Sequence, residues 1–359
     1  MRFYVIAGEA SGDLHGANLI KALRTKSPNI EVRAWGGDLM AAQGADVVKH
    51  YRDLAFMGFT EVVLNLRTIL RNIAFCKKDL LDYKPDAVIL IDYPGFNLRI
   101  AQFAKAHGIR VFYYISPQIW AWKESRVHSI KANVDHMMVI LPFEKAFYAR
   151  HGMEVTFVGH PLLDSIESAN APTVRADNLI ALLPGSRRQE IKRMLPIMLE
   201  VARMHPNLRF VVAGAPSIPA SFYASYMGEA DVEVVFGQTH RLYREARAGL
   251  VTSGTATLEA ALYGLPQVVC YRGGRLSYLI ARTLIKVKYI SLVNLIADRE
   301  IVKELIQDDL RPARLSGELD RILDPDGAAQ MTADYAQLRT LLGGPGASAR
   351  TADEVLKNT

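Results

Sequence analysis

The stretch Asn178-Leu-Ile-Ala-Leu-Leu-Pro-Gly-Ser-Arg-Arg-Gln-Glu190 decides the fold. Leu179 to Leu183 is a short unbroken apolar run, which reads as a buried strand. Pro184-Gly185-Ser186 is turn chemistry, and from Arg187 to Glu200 the apolar residues take helical spacing. A strand, a glycine turn and a helix start bring backbone N–H groups and the positive end of a helix dipole together, with two arginines beside them. That combination suits a phosphate or pyrophosphate. The chain opens in the same way, with Phe3-Tyr-Val-Ile-Ala7 leading into Gly8-Glu-Ala-Ser-Gly-Asp-Leu-His-Gly16.

Outward from these two points, strand-like runs alternate with helical stretches. Val32–Trp35, Ala87–Ile91, Arg110–Ile115, His136–Ile140 and Val155–Val158 come first. After Pro172 the pattern restarts with Leu179–Leu183, Arg209–Ala213, Val232–Val235, Gly249–Thr252 and Gln267–Tyr271. Apolar strands separated by helices predict parallel sheets covered on both faces. The expected fold is therefore α/β, with two Rossmann-like domains facing a central cleft. Residues 1–165 form the first and 166–334 the second, joined by a polar linker within Asp164–Asp177. The polar helical tail, from about 335 to 359, can fold back on the first domain or exchange with a partner chain in a homodimer.

Composition narrows the class. The chain has 359 residues, 50% hydrophobic and 22% charged, which excludes general disorder. A net charge of +6 permits an acidic partner. Two cysteines far apart, Cys76 and Cys270, give no disulfide framework and fit a reducing compartment. No secretory leader is expected before the first strand, and no apolar run approaches the roughly 20 residues of a spanning helix. HExxH, CxxC and P-loop motifs are absent, so no catalytic metal or cofactor is expected. Asp324-Pro-Asp326-Gly reads as a turn. Scattered basic residues without a known module argue against nucleic acid.

In doubly wound sheets, ligands bind beyond the carboxyl ends of the strands, and the unusual residues lie there. Gly8, Gly12 and Gly16 have GxxxGxxxG spacing, which is not the dinucleotide fingerprint. Glu9 and Asp13 within it would repel a pyrophosphate by about 1 kcal/mol or more per close pair. That loop suits hydroxyls better, unless Asp13 simply caps its helix. Asp92 follows the strand Ala87–Ile91 directly, so burial would raise its pKa toward a useful general base. The bland alternative is an Asx-turn before Tyr93-Pro94. Ser116-Pro-Gln-Ile-Trp-Ala-Trp-Lys-Glu-Ser-Arg126 carries two tryptophans and two cations at the next strand end; Trp120 reads as packing and Trp122 as lining a site. In the second half, Ser253, Gly254 and Thr255 open another helix after a strand, and Glu259 one turn later suits a ribose diol. It would serve equally as a dipole partner.

Between these sites, Phe59, Val62, Val63, Leu66, Ile69, Leu70 and Ile73 form a helical apolar stripe flanked by Arg67, Arg71, Lys77 and Lys78. Such a helix packs on its own sheet or lies in a membrane surface with its cations toward anionic head groups. Arg275–Lys288 is a second segment of that kind.

These motifs resemble those of the lipid-A-disaccharide synthase family, inverting glycosyltransferases of GT-B architecture. The resemblance rests on Ala7-Gly-Glu-Ala-Ser-Gly-Asp13, Met57-Gly-Phe59, Ile91-Asp-Tyr-Pro-Gly-Phe-Asn97, Ser116–Trp122, Leu141–Tyr148, Val158-Gly-His-Pro161, Leu183-Pro-Gly-Ser-Arg187, Ser253–Glu259 and Tyr289–Asn294. They run in family order across nearly the whole chain. Val293 stands where the family usually has Pro, and Asp298 where it often has Gly. The resemblance implies transfer of 2,3-diacylglucosamine from UDP to the 6-hydroxyl of 2,3-diacylglucosamine 1-phosphate, at the inner face of the cytoplasmic membrane. It casts Asp92 as base, Arg187 with Gly185 and Ser186 as diphosphate site, and Ser253, Gly254, Thr255 and Glu259 as the rest of the UDP site. Glu9, Asp13 and Trp122 would lie by the acceptor, and Asn294 enters as a catalytic residue by resemblance alone. A UDP-N-acetylglucosamine 2-epimerase would share the fold without needing the basic amphipathic helix. A non-catalytic nucleotide-sugar binder would not need Asp92, and another lipid-linked glycosyltransferase would lack the Trp120–Trp122 segment.

Overall fold

Ala87-Val-Ile-Leu-Ile91 is a strand with every residue buried, as an unbroken apolar run in a doubly covered parallel sheet must be. In the computed structural model, which describes residues 1–54, 66–167, 174–228, 232–274 and 287–359, it lies at the centre of the first of two sheets. The strands of that sheet are β1 (Arg2–Ala7), β2 (Glu31–Gly36), β3 (Asp46–His50), β4 (Ala87–Ile91), β5 (Arg110–Tyr114), β6 (His136–Val139) and β7 (Thr156–Phe157). All pair in parallel, in the order β3-β2-β1-β4-β5-β6-β7. The strand order reverses between β1 and β4, where doubly wound folds leave their binding crevice.

The helices of this half are α1 (Ala10–Lys26), α2 (Asp38–Ala42), α3 (Leu66–Tyr83), α4 (Pro94–Ala106), α5 (Ile119–Trp122), α6 (Val127–Asn133), α7 (Pro142–Arg150) and α8 (Leu162–Glu167). Alternate residues of the central strands feed two cores. Tyr4, Ile6, Val88 and Leu90 pack with Ile73, Cys76 and Leu80 of α3 on one face. Phe3, Val5, Ile89 and Ile91 pack with Leu19, Ile20 and Leu23 of α1 on the other. A buried polar knot fixes α3 to the sheet: Arg33 donates to both oxygens of Asp79 at 3.0 and 2.7 Å, and Tyr4 donates to the same carboxylate at 2.6 Å.

The second sheet contains β8 (Ala176–Leu183), β9 (Arg209–Gly214), β10 (Glu233–Phe236), β11 (Ala246–Thr252), β12 (Gln267–Tyr271) and β13 (Lys303–Ile306). Its order is β10-β9-β8-β11-β12-β13, again parallel, with the reversal between β8 and β11. Its helices are α9 (Arg188–Met204), α10 (Ala220–Met227), α11 (Thr239–Glu245), α12 (Thr255–Leu262), α13 (Leu292–Ala297), α14 (Pro312–Leu323) and α15 (Pro325–Leu341). Asp324-Pro-Asp326 is more than a turn: the Asp324 carboxylate accepts the N–H groups of Asp326 and Gly327 and starts α15.

The chain divides into Met1–Asp164 with Leu342–Thr359, and Ser165–Leu341. The return point falls at Leu342, later than the expected 335, because α15 keeps Tyr335 and Leu338 buried in the second unit. The last helix, α16 (Ala347–Asn358), packs on α1 of its own chain through Ala352 and Val355. Asp164 caps it, accepting N–H groups from Gly346, Ala347 and Ser348 at 2.6, 3.2 and 3.1 Å. Among the described residues, no helix is long and apolar enough to cross a membrane.

Candidate active site

At the first reversal, the loops after β1 and β4 lock together. A Cβ on Gly8 would stand 2.4 Å from the Tyr93 ring, so only glycine lets that ring lie across the loop. Asp92 and Tyr93 both adopt left-handed backbone, with φ of 44° and 50°, unusual for residues with side chains. The Asp92 carbonyl is held by Tyr113 Oη at 2.6 Å and Asn97 Nδ2 at 2.7 Å. The Asp92 carboxyl also engages the backbone N–H of Tyr93, a local contact that keeps it at the strand end. Solvent still reaches this side chain, yet the surrounding protein displaces enough water to push its pKa up to about 6, and the Glu9 carboxylate adds to the rise.

Glu9 therefore shares the neighbourhood of Asp92. Asp13 does not face outward. It is buried and accepts N–H groups from Gly37, Leu39 and Met40 at 2.7, 3.1 and 3.1 Å. It caps α2 rather than its own helix, so its place beside the acceptor gives way to a positioning role. Trp120 packs as expected, edge-on to Phe143, with its Nε1 donating to the buried Glu144 at 3.2 Å. Trp122 is half exposed, with Lys123 Nζ and Arg126 Cζ at 5.2 and 5.4 Å from its ring centre.

At the second reversal, a pocket of about 410 Å³ opens between the loops after β8 and β11. Gly185, Ser186, Arg187, Ser253, Gly254, Thr255 and Glu259 all line it. The structure corrects one detail. The N–H groups of Ser186 and Arg187 already donate to Glu190 Oε2, at 3.0 and 3.2 Å, in a capping box that starts α9. A Cβ on Gly185 would strike the same carboxylate at 2.6 Å, and φ there is 111°. As it stands, this helix start is satisfied by the chain's own anion. The start of α12 differs: Gly254 makes no side-chain cap, and Gly254, Thr255 and Ala256 open into the pocket. Glu259 lies one turn along, with Tyr243 Oη donating to it at 3.2 Å; burial raises its pKa, against the influence of His240.

Tyr243, Thr239 and the small-residue segment Ala213–Pro216 also line this pocket and were not foreseen. Gly-Ala-Pro directly after an apolar strand was the available signal.

Asn294 is placed differently from its expected catalytic role. It is fully buried in α13, its Oδ1 accepting from Ile301 and Val302 N–H, its Nδ2 donating to Val302 O and Glu304. Both ends of the amide are committed, tying α13 to the segment that leads into β13. Asp298 ends α13 in the left-handed region, φ 49°, the conformation that glycine favours and Asp tolerates. Val293 is buried inside α13. The departures at 293 and 298 thus leave this helix and its cap intact.

Of the apolar stripe, Phe59, Val62 and Val63 lie outside the described residues, as do the side chain of Leu66 and most of Arg275–Lys288. Ile69 and Ile73 face the core below α3, whereas Leu70 is 51% exposed. Over its described part, the helix packs on its own sheet through Ile69 and leaves Leu70 outside. Among the described residues, no group of three His, Cys, Asp or Glu side chains is arranged to hold a metal ion.

Comparison with known proteins gives one consistent result. A profile described as lipid-A-disaccharide synthetase matches residues 3–356. A lipid-A-disaccharide synthase of Syntrophus aciditrophicus is 43% identical, covering 97% of this chain and 95% of its own. One of Myxococcus xanthus is 39% identical, covering 99% and 97%. Among solved structures, the glycotransferase of kitacinnamycin superposes with a TM-score of 0.70 at 15% identity, covering 99% and 98%. A UDP-GlcNAc 2-epimerase from Neisseria meningitidis, bound to UDP-GlcNAc, gives 0.68 at 15% over the whole of both chains. Those two likenesses concern the fold alone.

Proposed function

The chain belongs to the lipid-A-disaccharide synthase family and is a glycosyltransferase of lipid A disaccharide synthesis, and we propose that Asp92 is its base and the 410 Å³ pocket its donor site. In the transfer, the acceptor's 6-hydroxyl gives its proton to Asp92 while its oxygen bonds the anomeric carbon of the UDP-linked sugar. The carbon–phosphate oxygen bond breaks on the opposite side, its electron pair leaving with UDP. An α-linked donor thereby gives a β-linked product. The observation that carries this reading is the position of Asp92 at the reversal of the first sheet, with a pKa near 6. A base so poised is ionised at neutral pH yet basic enough to accept a proton.

The uncapped start of α12, at Gly254 and Thr255, offers N–H groups and a helix dipole to the diphosphate, and Arg187 adds a full charge at the pocket wall. Glu259 suits the ribose hydroxyls, as acidic residues do in other nucleotide sites. The diacylated substrates of the proposed reaction would bring the enzyme to the inner face of the cytoplasmic membrane. Exposed Leu70 on α3, with Phe59, Val62 and Val63 earlier in the same segment, would enter the lipid.

Product analysis tests the assignment. Wild type with UDP-2,3-diacylglucosamine and the 1-phosphate acceptor should give the β-1,6 disaccharide, and Asp92→Ala should lose about 10²–10⁴ in kcat. Glu259→Ala should mainly raise KM for the donor. Donor hydrolysis or C2 epimerisation without disaccharide would refute the reaction, and an active Asp92→Ala would refute the base.

A further inference from the structure

The segment after β5 holds a cluster that the transfer step does not use. Lys123 and Arg126 both stand against the half-exposed ring of Trp122. Neither cation has an ion pair among the described residues. Glu124, the acid between them in sequence, is turned aside to His151 at 3.0 Å. Two like charges share one apolar wall, and a carboxylate within reach is spent elsewhere. The negative face of the indole attracts both cations and so holds them in place. Such a pair is incomplete without an anion.

Its position narrows the anion. β5 neighbours β4, so this segment and Asp92 leave the same edge of the first sheet. Arg126 acts electrostatically on Tyr113, whose hydroxyl holds the Asp92 carbonyl at 2.6 Å. Asp92 itself responds to burial and Glu9. The cluster therefore follows the strand next to the one that carries the base. In a hexosamine 1-phosphate, the 6-hydroxyl (carried on C5) and the phosphate on C1 flank the ring oxygen. A base for the first and a cationic site for the second must therefore stand side by side, as two neighbouring strand ends do.

We propose that Lys123 and Arg126, braced on Trp122, bind the phosphate monoester of the acceptor and so set the enzyme's preference for a phosphorylated sugar. The guanidinium supplies paired donors to phosphate oxygens, and the ammonium supplies a second charge. The indole closes the site on one side and offers a flat face for the sugar. This rests on the reading of the acceptor as a sugar 1-phosphate. Anionic lipid head groups carry the same chemistry, and the test separates the two sources.

The experiment compares kcat/KM for the 1-phosphate acceptor and its 1-hydroxyl analogue, in wild type, in Lys123→Ala/Arg126→Ala and in Arg126→Lys. Charge-assisted bonds to phosphate predict that the ratio of the two values falls about ten- to hundredfold in the double variant, with Arg126→Lys between. The loss should appear in acceptor KM rather than kcat. An unchanged ratio overturns the proposal. So does a double variant that keeps its acceptor KM but loses binding to phosphatidylglycerol vesicles, which would give the cluster to the membrane. A second readout is independent of turnover: glucosamine 1-phosphate should change tryptophan emission in wild type, and Trp122→Phe should abolish the change. If wild type makes no disaccharide, the reading of the reaction fails by itself, and this titration still decides the cluster. Equal responses to glucosamine and its 1-phosphate would refute it.

Discussion

At the scale of single residues, two carboxylates near one another decide the reaction's pH dependence. Asp92 must be ionised to accept a proton, so kcat/KM should fall as pH drops through about 6. Burial is the first cause of that raised value and the charge of Glu9 the second. Removing the Glu9 charge therefore makes ionisation of Asp92 easier. Glu9→Gln should move the acid limb of the pH–rate profile to lower pH without abolishing turnover. A limb that stays put, or moves up, would separate Glu9 from the base. The strand-end position of Asp92 was legible because an apolar run that stops at a carboxylate leaves the charge in the loop beyond it. What Asp13 and Asn294 do was not legible. Each is defined by the N–H and C=O groups that the fold brings to it, from residues 24 to 27 places away for Asp13 and from 7 to 8 places on for Asn294.

At the scale of elements, the strands missing from the sequence reading are β3 and β13, each at an edge of its sheet. Asp46-Val-Val-Lys-His50 and Lys303-Glu-Leu-Ile306 carry charges because one side of an edge strand meets water. The opposite edges, β7 and β10, were readable because Val155–Val158 and Val232–Val235 keep short, mostly apolar runs; in β3 and β13 charged and polar residues make up half or more. The edge strand β13 nevertheless reaches the donor site. Glu304 accepts from the N–H groups of Ile290 and Ser291, the Ser291 hydroxyl and the Asn294 amide. Ile290 in turn holds Ser253 through its carbonyl, at 3.1 Å. Glu304→Gln keeps the shape but turns an NH₂ toward one set of donors. It should cost about 1.5–3 kcal/mol of stability and weaken UDP binding through Ser253. Calorimetric titration of UDP checks it; wild-type affinity in a destabilised variant would show that the network supports α13 and not the pocket.

At the scale of the whole chain, both sheets reverse their strand order at one point, and Glu9, Asp92, Arg187 and Glu259 follow the four strands on either side of those points, whereas Trp122 follows β5 and Asn294 follows β12. The topological rule makes that placement readable from the alternation of strands and helices. Charge balance inside the first unit is not readable so, because it depends on which groups end up without water. His160 is buried beside the half-buried His15, the two held down to about 3 and about 4 by loss of hydration, with Asp164 pulling the other way. The ordinary histidine value is 6.5, so below that pH the unfolded chain takes up protons that the folded one refuses. Stability from this pair is lost as pH falls from 6.5 toward 4. Glu144 has the opposite sign. Burial lifts it from 4.5 to about 7, against hydrogen bonds from Leu141, Trp120 and Ile140. The folded chain therefore takes up its proton first, and stability is gained as pH falls through 7 toward 4.5. Asp92, more open to solvent, adds a weaker gain of the same sign. Two histidines thus outweigh one carboxyl and a weaker second between about pH 4.5 and 6, so the wild-type melting temperature should fall gently as pH drops across that window. Glu144→Gln removes one compensating group. Its stability should then fall with decreasing pH more steeply than that of wild type, by up to about 1.4 kcal/mol per pH unit. Melting curves of both proteins from pH 7.5 to 4.5 measure the difference in slope. Parallel curves would mean that Glu144 titrates alike in the folded and unfolded chain, and that its burial is not what sets its charge.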